Sequence, residues 1–82
     1  MGPELLDAKI ERLIKEILRE RLSLPVNKRP IPEMELVNLV IQKLENGVVP
    51  TKMILAVIED MEHNKYTLVR DMTGTKLEIN ER

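Results

Sequence analysis

The sequence predicts an α+β fold in which three helices precede a two-stranded antiparallel β-hairpin. Three observations lead to this prediction: an amphipathic stretch over residues 4–22, two further apolar-periodic stretches separated by Gly47 and Pro50, and alternating residues on both sides of a turn at 71–74. Helix, helix, helix and hairpin, in this order, is the layout of a winged-helix domain.

The length of 82 residues accommodates one small domain with one modest core. We expect this domain to span residues 4–82, and residues 1–3 (MGP) are typical of a cloning remnant. Tyr66 is the single aromatic residue, so the core is expected to be aliphatic, with methionine filling its gaps.

The first helix is predicted from apolar residues that recur at spacings of three and four and so share one face. They are Leu6, Ile10, Leu13, Ile14 and Ile17. The opposite face is charged, as is typical of a solvated surface. On that face Glu11 precedes Lys15 by one helical turn, the favourable orientation for an ion pair.

Residues 23–32 (SLPVNKRPIP) contain three prolines and no periodicity, which predicts an extended connector between the first two helices. Lys28 and Arg29 lie in the middle of this connector. A basic pair there can meet phosphate or an acidic protein surface, and ordinary solvation of a loop is the simpler interpretation.

The second helix is predicted over about 33–46, beginning at Pro32 and stopping at Asn46-Gly47. Its expected inward residues are Val37, Val40, Ile41 and Leu44. The third helix is predicted over about 50–63, because the fixed φ of Pro50 suits a first helical turn. Its expected apolar face consists of Met53, Ile54, Val57, Ile58 and Met61.

An alternative interpretation makes residues 53–58 (MILAVI) a strand, so that 53–80 becomes a three-stranded meander like the opening of an OB-fold barrel. The chain then lacks two of the five strands that such a barrel needs. The helical interpretation also includes Met61 in the apolar face, and it is therefore preferred.

The hairpin is predicted from alternation on both sides of the Asp71-Met72-Thr73-Gly74 turn. Tyr66, Leu68 and Arg70 alternate with Thr67 and Val69, and Lys76 and Glu78 alternate with Leu77 and Ile79. Arg70 and Lys76, together with Lys28 and Arg29, are the predicted contacts to a protein surface or to backbone phosphate.

Thirteen Lys and Arg against fourteen Asp and Glu give a net charge of −1 and a pI near 5.8. A nucleic-acid reader usually has a basic excess, because phosphate neutralisation supplies much of its affinity. The predicted solvent face of the third helix is mostly acidic, comprising Lys52, Glu59, Asp60, Glu62 and His63. Nucleic-acid binding is therefore expected to be weak or absent, and a small DNA-binding regulator is the alternative function.

The sequence lacks the residues that are typical of metal-binding proteins, enzymes and membrane proteins. The sequence has no cysteine and one histidine, so no metal site or cofactor is predicted. It contains no glycine-rich phosphate loop and no nucleophile set, so we expect no enzymatic activity. No membrane span or secretory signal is recognised, and the expected location is the cytoplasm, the nucleus or both.

The ordered features of the chain resemble the C-terminal winged-helix domain of cullins. The resemblance includes Ala8-Lys9-Ile10-Glu11-Arg12-Leu13-Ile14-Lys15 in the first helix, ELVNLVIQKL at 35–44 and Pro50. It continues with Ile58-Glu59-Asp60-Met61, Tyr66 and Arg70-Asp71, and so covers about residues 8–71.

This resemblance implies a scaffold module in a RING-type ubiquitin ligase, with a RING subunit and ubiquitin-like conjugation machinery as partners. It also implies that Lys15 accepts a ubiquitin-like modifier through an isopeptide bond (neddylation). The chain departs from the family where Glu16-Ile17-Leu18 follow Lys15, because cullins carry basic residues there. The sequence thus resembles a divergent member.

Overall fold

The computed structural model describes residues 5–44, 49–65 and 68–77, and it confirms the predicted order of three helices and an antiparallel hairpin. This α+β arrangement is a winged-helix-like layout. The elements are α1 (Leu6–Glu20), α2 (Glu33–Lys43), α3 (Thr51–Asp60), β1 (Leu68–Asp71) and β2 (Gly74–Leu77).

Helix α1 is shorter than the predicted 4–22, because its last expected residues turn into a 3₁₀ helix at Arg21–Ser23. Its apolar stripe is buried as expected from the spacing, with the exception of Leu6, whose exposed fraction is 41%. The buried residues of α1 are Ile10, Leu13, Ile14, Ile17 and Leu18.

The prediction of an extended 23–32 connector is wrong for part of its length. A second 3₁₀ turn forms at Val26–Lys28. Arg21 holds this segment in place, because its Nε donates to the Arg29 carbonyl at 2.8 Å and its Nη2 donates to the Lys28 carbonyl at 2.9 Å. These bonds satisfy carbonyls that the prolines leave without a regular backbone partner.

Helices α2 and α3 begin one residue after Pro32 and Pro50, which act as caps with extended ψ angles of 139° and 137°. Pro50 therefore precedes the first turn of α3. A π-helical turn at Met61–Lys65 continues α3, and the strand alternative for 53–58 is wrong. The predicted stop at Asn46-Gly47 lies outside the described residues.

The two strands pair in a register that sets Leu68 opposite Leu77 and Arg70 opposite Thr75. Ile31 from the connector bridges β2 on its other side, with Ile31 N to Thr75 O at 2.9 Å and Thr75 N to Ile31 O at 2.8 Å. The connector thereby ties the hairpin to the helices. Tyr66, Thr67, Glu78 and Ile79, also predicted in the hairpin, lie outside the described residues.

The core joins all three helices to the hairpin through aliphatic side chains and Met61, as expected for a sequence with a single aromatic residue. Ile31 and Leu36 are fully buried, although the sequence pattern did not assign them to the core. Ile41 and Met53, which were expected to be internal, are only partly buried at its edge.

Candidate interaction surface

Arg70 on β1 contacts carboxylates from two other elements. Its Nε and Nη2 donate to Glu62 Oε1 at 3.0 and 2.9 Å, and its Nη1 donates to Glu33 Oε1. These bonds raise the pKa of Arg70 above its ordinary value, with Glu62 the larger cause and Glu33 the second. The guanidinium thus links the start of α2, the π-helical turn and the hairpin.

A groove of about 500 Å³ lies beside this ion-pair cluster. Pro32 and hairpin residues 70–75 line it together with Glu33 and Glu62. Asp71 adds a third carboxylate, so the acidic groups of the lining outnumber the single guanidinium. A phosphate approaching Arg70 would meet repulsion and would have to displace two carboxylates. The structure therefore suggests that Arg70 stabilises the packing of the hairpin against α2 and the π-helical turn.

Lys76 is separated from Arg70 although both belong to the hairpin. In the strand register Arg70 lies opposite Thr75, whereas Lys76 lies opposite Val69. Successive side chains point to opposite faces of a sheet, so the two cations project from opposite faces. Lys76 is half-buried.

The hairpin turn is held by Asp71, whose Oδ1 accepts bonds from the backbone N–H of Thr73 at 2.8 Å and from the Thr73 hydroxyl. These two bonds are the main causes that lower the pKa of Asp71, and the charge of Lys76 contributes further.

The two predicted connector contacts have different surroundings. Lys28 is exposed at the end of the second 3₁₀ turn. Arg29 is half-buried and its Nε donates to the Leu24 carbonyl at 3.0 Å, so one side of its guanidinium supports the connector. The four predicted cations therefore differ in exposure and in hydrogen bonding, and they do not form a basic patch in which every cation faces solvent.

Lys15 forms the ion pair that its spacing from Glu11 predicts. Its Nζ lies 3.2 Å from Glu11 Oε2, and 38% of its side chain is exposed. The Lys15 side chain is therefore reachable from solvent. Glu16, which follows Lys15, pairs instead with Arg12 at 3.0 Å.

The outward face of α3 is acidic, as the sequence predicts. Its exposed residues are Thr51, Lys52, Ala56, Glu59 and Asp60. Glu62 and His63 follow in the π-helical turn, where Glu62 is directed to Arg70 and His63 is exposed. Lys52 is thus the only cation among these residues.

Sequence reasoning did not find the contact of Arg70 with Glu33, since the two residues are 37 positions apart. It also did not find an apolar groove of about 760 Å³ between α1 and α3. The available signal for that groove was a pair of alanines, Ala8 and Ala56, at positions flanking the apolar stripes.

Among the described residues, no three His, Cys, Asp or Glu side chains are grouped closely enough to hold a metal ion. No helix within the described ranges is long and apolar enough to cross a membrane.

Comparison with protein-family models, with curated proteins and with solved structures gives no match.

Proposed function

We propose that this chain is a non-catalytic winged-helix module that docks protein partners. The observation that carries this proposal is the acidic outward face of α3, where Glu59 and Asp60 are exposed and Lys52 is the only exposed cation. In nucleic-acid readers of the helix-turn-helix type, the corresponding helix enters the major groove. Carboxylates in that position would be repelled by the phosphates that line the groove.

The hairpin supports the same proposal. A reading hairpin would offer cations to the phosphate backbone, whereas Arg70 is held by Glu33 and Glu62. Lys76 is half-buried, and its charge contributes to the lowered pKa of Asp71 in the turn. Neither cation gives the hairpin a strongly positive outer face. A module that binds proteins through an acidic surface does not need such a face.

DNA binding separates this proposal from the alternative of a winged-helix transcription regulator. The measurement is fluorescence anisotropy of labelled duplexes, selected from a random-sequence pool, at about 0.15 M salt. We expect weak binding that disappears as salt increases. A dissociation constant tighter than about 10⁻⁸ M for a selected sequence, typical of specific readers, would overturn the docking function.

We further propose that the partners of this module belong to a RING-type ubiquitin ligase, with the chain as part of a cullin-like scaffold and Lys15 as a conjugation site. The resemblance of residues 8–71 to cullins motivates this finer proposal. The reachable ammonium of Lys15 is compatible with isopeptide bond formation. The acidic and apolar residues Glu16, Ile17 and Leu18, in place of basic ones, imply altered recognition by the conjugating enzyme.

Reconstituted modifier transfer tests this finer proposal. The chain is incubated with a ubiquitin-like modifier, its activating and conjugating enzymes and a RING subunit, and Lys15→Arg is compared with Lys43→Arg. Lys43 is an exposed lysine on α2 and serves as the matched control. Loss of conjugation in Lys15→Arg alone is expected. Conjugation that persists in Lys15→Arg, or that never occurs in the parent chain, would remove the conjugation role and leave the docking function.

A further inference from the structure

An open groove runs between α1 and α3, apart from the Arg70 cluster. Its volume is about 760 Å³, and its α1 wall extends from Leu5 to Glu11 while its α3 wall extends from Lys52 to Asp60. At about 1.5 Å per helical residue, each wall is roughly 10–12 Å long. At about 5.4 Å per turn, the groove therefore matches about two turns of a docked helix.

The floor of the groove is apolar. Leu5, which precedes α1, and Ala8 of α1 contribute on one side, and Met53, Ala56 and Val57 contribute from α3. Leu5 is 77% exposed, and both alanines are exposed as well. The two alanines are too short to fill the space between the helices, so their positions create the concavity. Covering this floor would remove apolar area from water.

The rim of the groove is acidic. Asp7, Glu11 and Asp60 border it, and Lys52 is the only cation among its lining residues. A second copy of this chain placed over the groove would bring the same three carboxylates and Lys52, a rim that stays net negative even with Glu11 paired to Lys15, and nucleic acid would bring phosphates. Both occupants would be repelled, whereas a cationic occupant would be attracted.

The walls of the groove also favour a helical occupant over an extended peptide. Both walls are helices, whose interior N–H and C=O groups are bonded within each helix. Beyond the first turn of each helix, where some N–H groups lack a partner within the helix, an extended peptide would find no backbone partners along the walls, and its own backbone groups would lose water. A helix satisfies its own backbone and presents apolar anchors at spacings of three and four.

We propose that the α1–α3 groove docks a basic amphipathic helix of a partner protein, with apolar anchors over Ala8 and Ala56 and with Lys or Arg flanks facing the acidic rim. This inference rests on the proposed docking function, and it names the surface and the chemistry of the partner. The position of Lys15, one turn beyond Glu11 on α1, places the proposed conjugation site close to one end of the groove.

The test is an NMR titration of the ¹⁵N-labelled full chain. The probe is a synthetic peptide of about 14 residues, or four helical turns, with leucine on one face and lysine elsewhere. A peptide with glutamate in place of every lysine is the control for charge. We expect the lysine peptide to shift amide resonances within 5–11 and 52–60, and the glutamate peptide to bind at least about tenfold more weakly.

Two variants locate the site and one controls for added charge. Ala56→Arg places a long cation in the floor and should weaken the lysine peptide at least about tenfold. Lys52→Glu makes the rim more acidic and should tighten binding. Asn38→Arg adds the same cation at an exposed position of α2 and should leave the affinity within about twofold. Circular dichroism melting shows that each variant is folded.

Several outcomes would overturn this inference. They are shifts centred on the Arg70 cluster, equal binding of the two peptides, equal weakening by Ala56→Arg and Asn38→Arg, and no binding at all. Sedimentation of the chain as a dimer that Ala56→Arg dissociates would assign the groove to a second copy and would also overturn it. Failure of the peptide test with DNA binding still weak refutes the groove alone, whereas tight specific DNA binding refutes the docking function itself.

Discussion

Replacing Gly74 with alanine is the sharpest test of how the hairpin is attached to the helices. Gly74 has a φ of +127°, and a Cβ built there would lie 2.7 Å from the Ile31 carbonyl oxygen and 2.8 Å from the Ile31 carbonyl carbon. Both atoms belong to backbone that is pinned by the Ile31–Thr75 bridge, so they cannot move aside cheaply. Alanine must therefore strain the turn or open the bridge.

The magnitude follows from these two responses. An L-residue held at such a φ costs about 1–3 kcal/mol. Opening the bridge gives up two backbone hydrogen bonds, each contributing about 0.5–1.5 kcal/mol. Because relaxation exchanges one cost for the other, we expect Gly74→Ala to lower the free energy of unfolding by about 1–3 kcal/mol. For a domain of this size the melting temperature should fall by at least about 4 °C.

Urea unfolding followed by far-ultraviolet circular dichroism measures this change, with Met72→Ala as the matched control. Met72 lies in the same turn but is fully exposed, so its replacement should change the stability by less than about 0.5 kcal/mol. A Gly74→Ala variant as stable as the Met72→Ala variant would refute the reasoning that the connector packs against the turn.

Two further predictions concern the core and the turn. Ile58→Ala should lower the free energy of unfolding by about 2–5 kcal/mol in the same urea assay, because Ile58 is fully buried; a loss below about 1 kcal/mol would show that α3 does not pack as described. Asp71→Asn should flatten the acid side of the stability profile. The lowered pKa of Asp71 means that its carboxylate stabilises the fold above about pH 4 and that this contribution is lost as the pH falls further. Parallel stability profiles of parent and Asp71→Asn below pH 5 would contradict the assignment.

The helices could be predicted because their apolar spacings report directly on burial. The stripe of α3 predicted Ile54, Val57, Ile58 and Met61 as internal, and the structure buries all four. The charged face of α1 likewise predicted the Glu11–Lys15 pair, since both partners are local in sequence. Local periodicity carries this information without any knowledge of the tertiary fold.

The remaining features depend on contacts between distant segments. Ile31 is one apolar residue between Pro30 and Pro32, and no periodicity distinguishes a buried strand bridge from a loop residue there. Arg70 was predicted as an outward contact from the alternation of the strand. Alternation shows which residues share a face of the hairpin. It does not show that another element brings carboxylates to that face. Its partner Glu33 comes from the start of α2, far away in the chain.

The groove between α1 and α3 escaped prediction for a related reason. Ala8 and Ala56 flank apolar stripes that are individually complete, so neither helix pattern signals that apolar surface remains uncovered. The concavity arises only when the two helices are placed side by side. Its acidic rim then continues the acidic face of α3, which links the groove to the proposed docking function.

The docking function is tested most sharply by a paired titration of one ¹⁵N-labelled sample at about 0.15 M salt, first with duplex DNA and then with the lysine peptide. If α3 belongs to a docking surface, random-sequence DNA should leave the α3 resonances unchanged, and the peptide should shift those of Ala8, Met53, Ala56 and Val57. DNA shifts that centre on Lys52, Glu59 and the hairpin, with no peptide shifts in the groove, would instead identify a nucleic-acid reader.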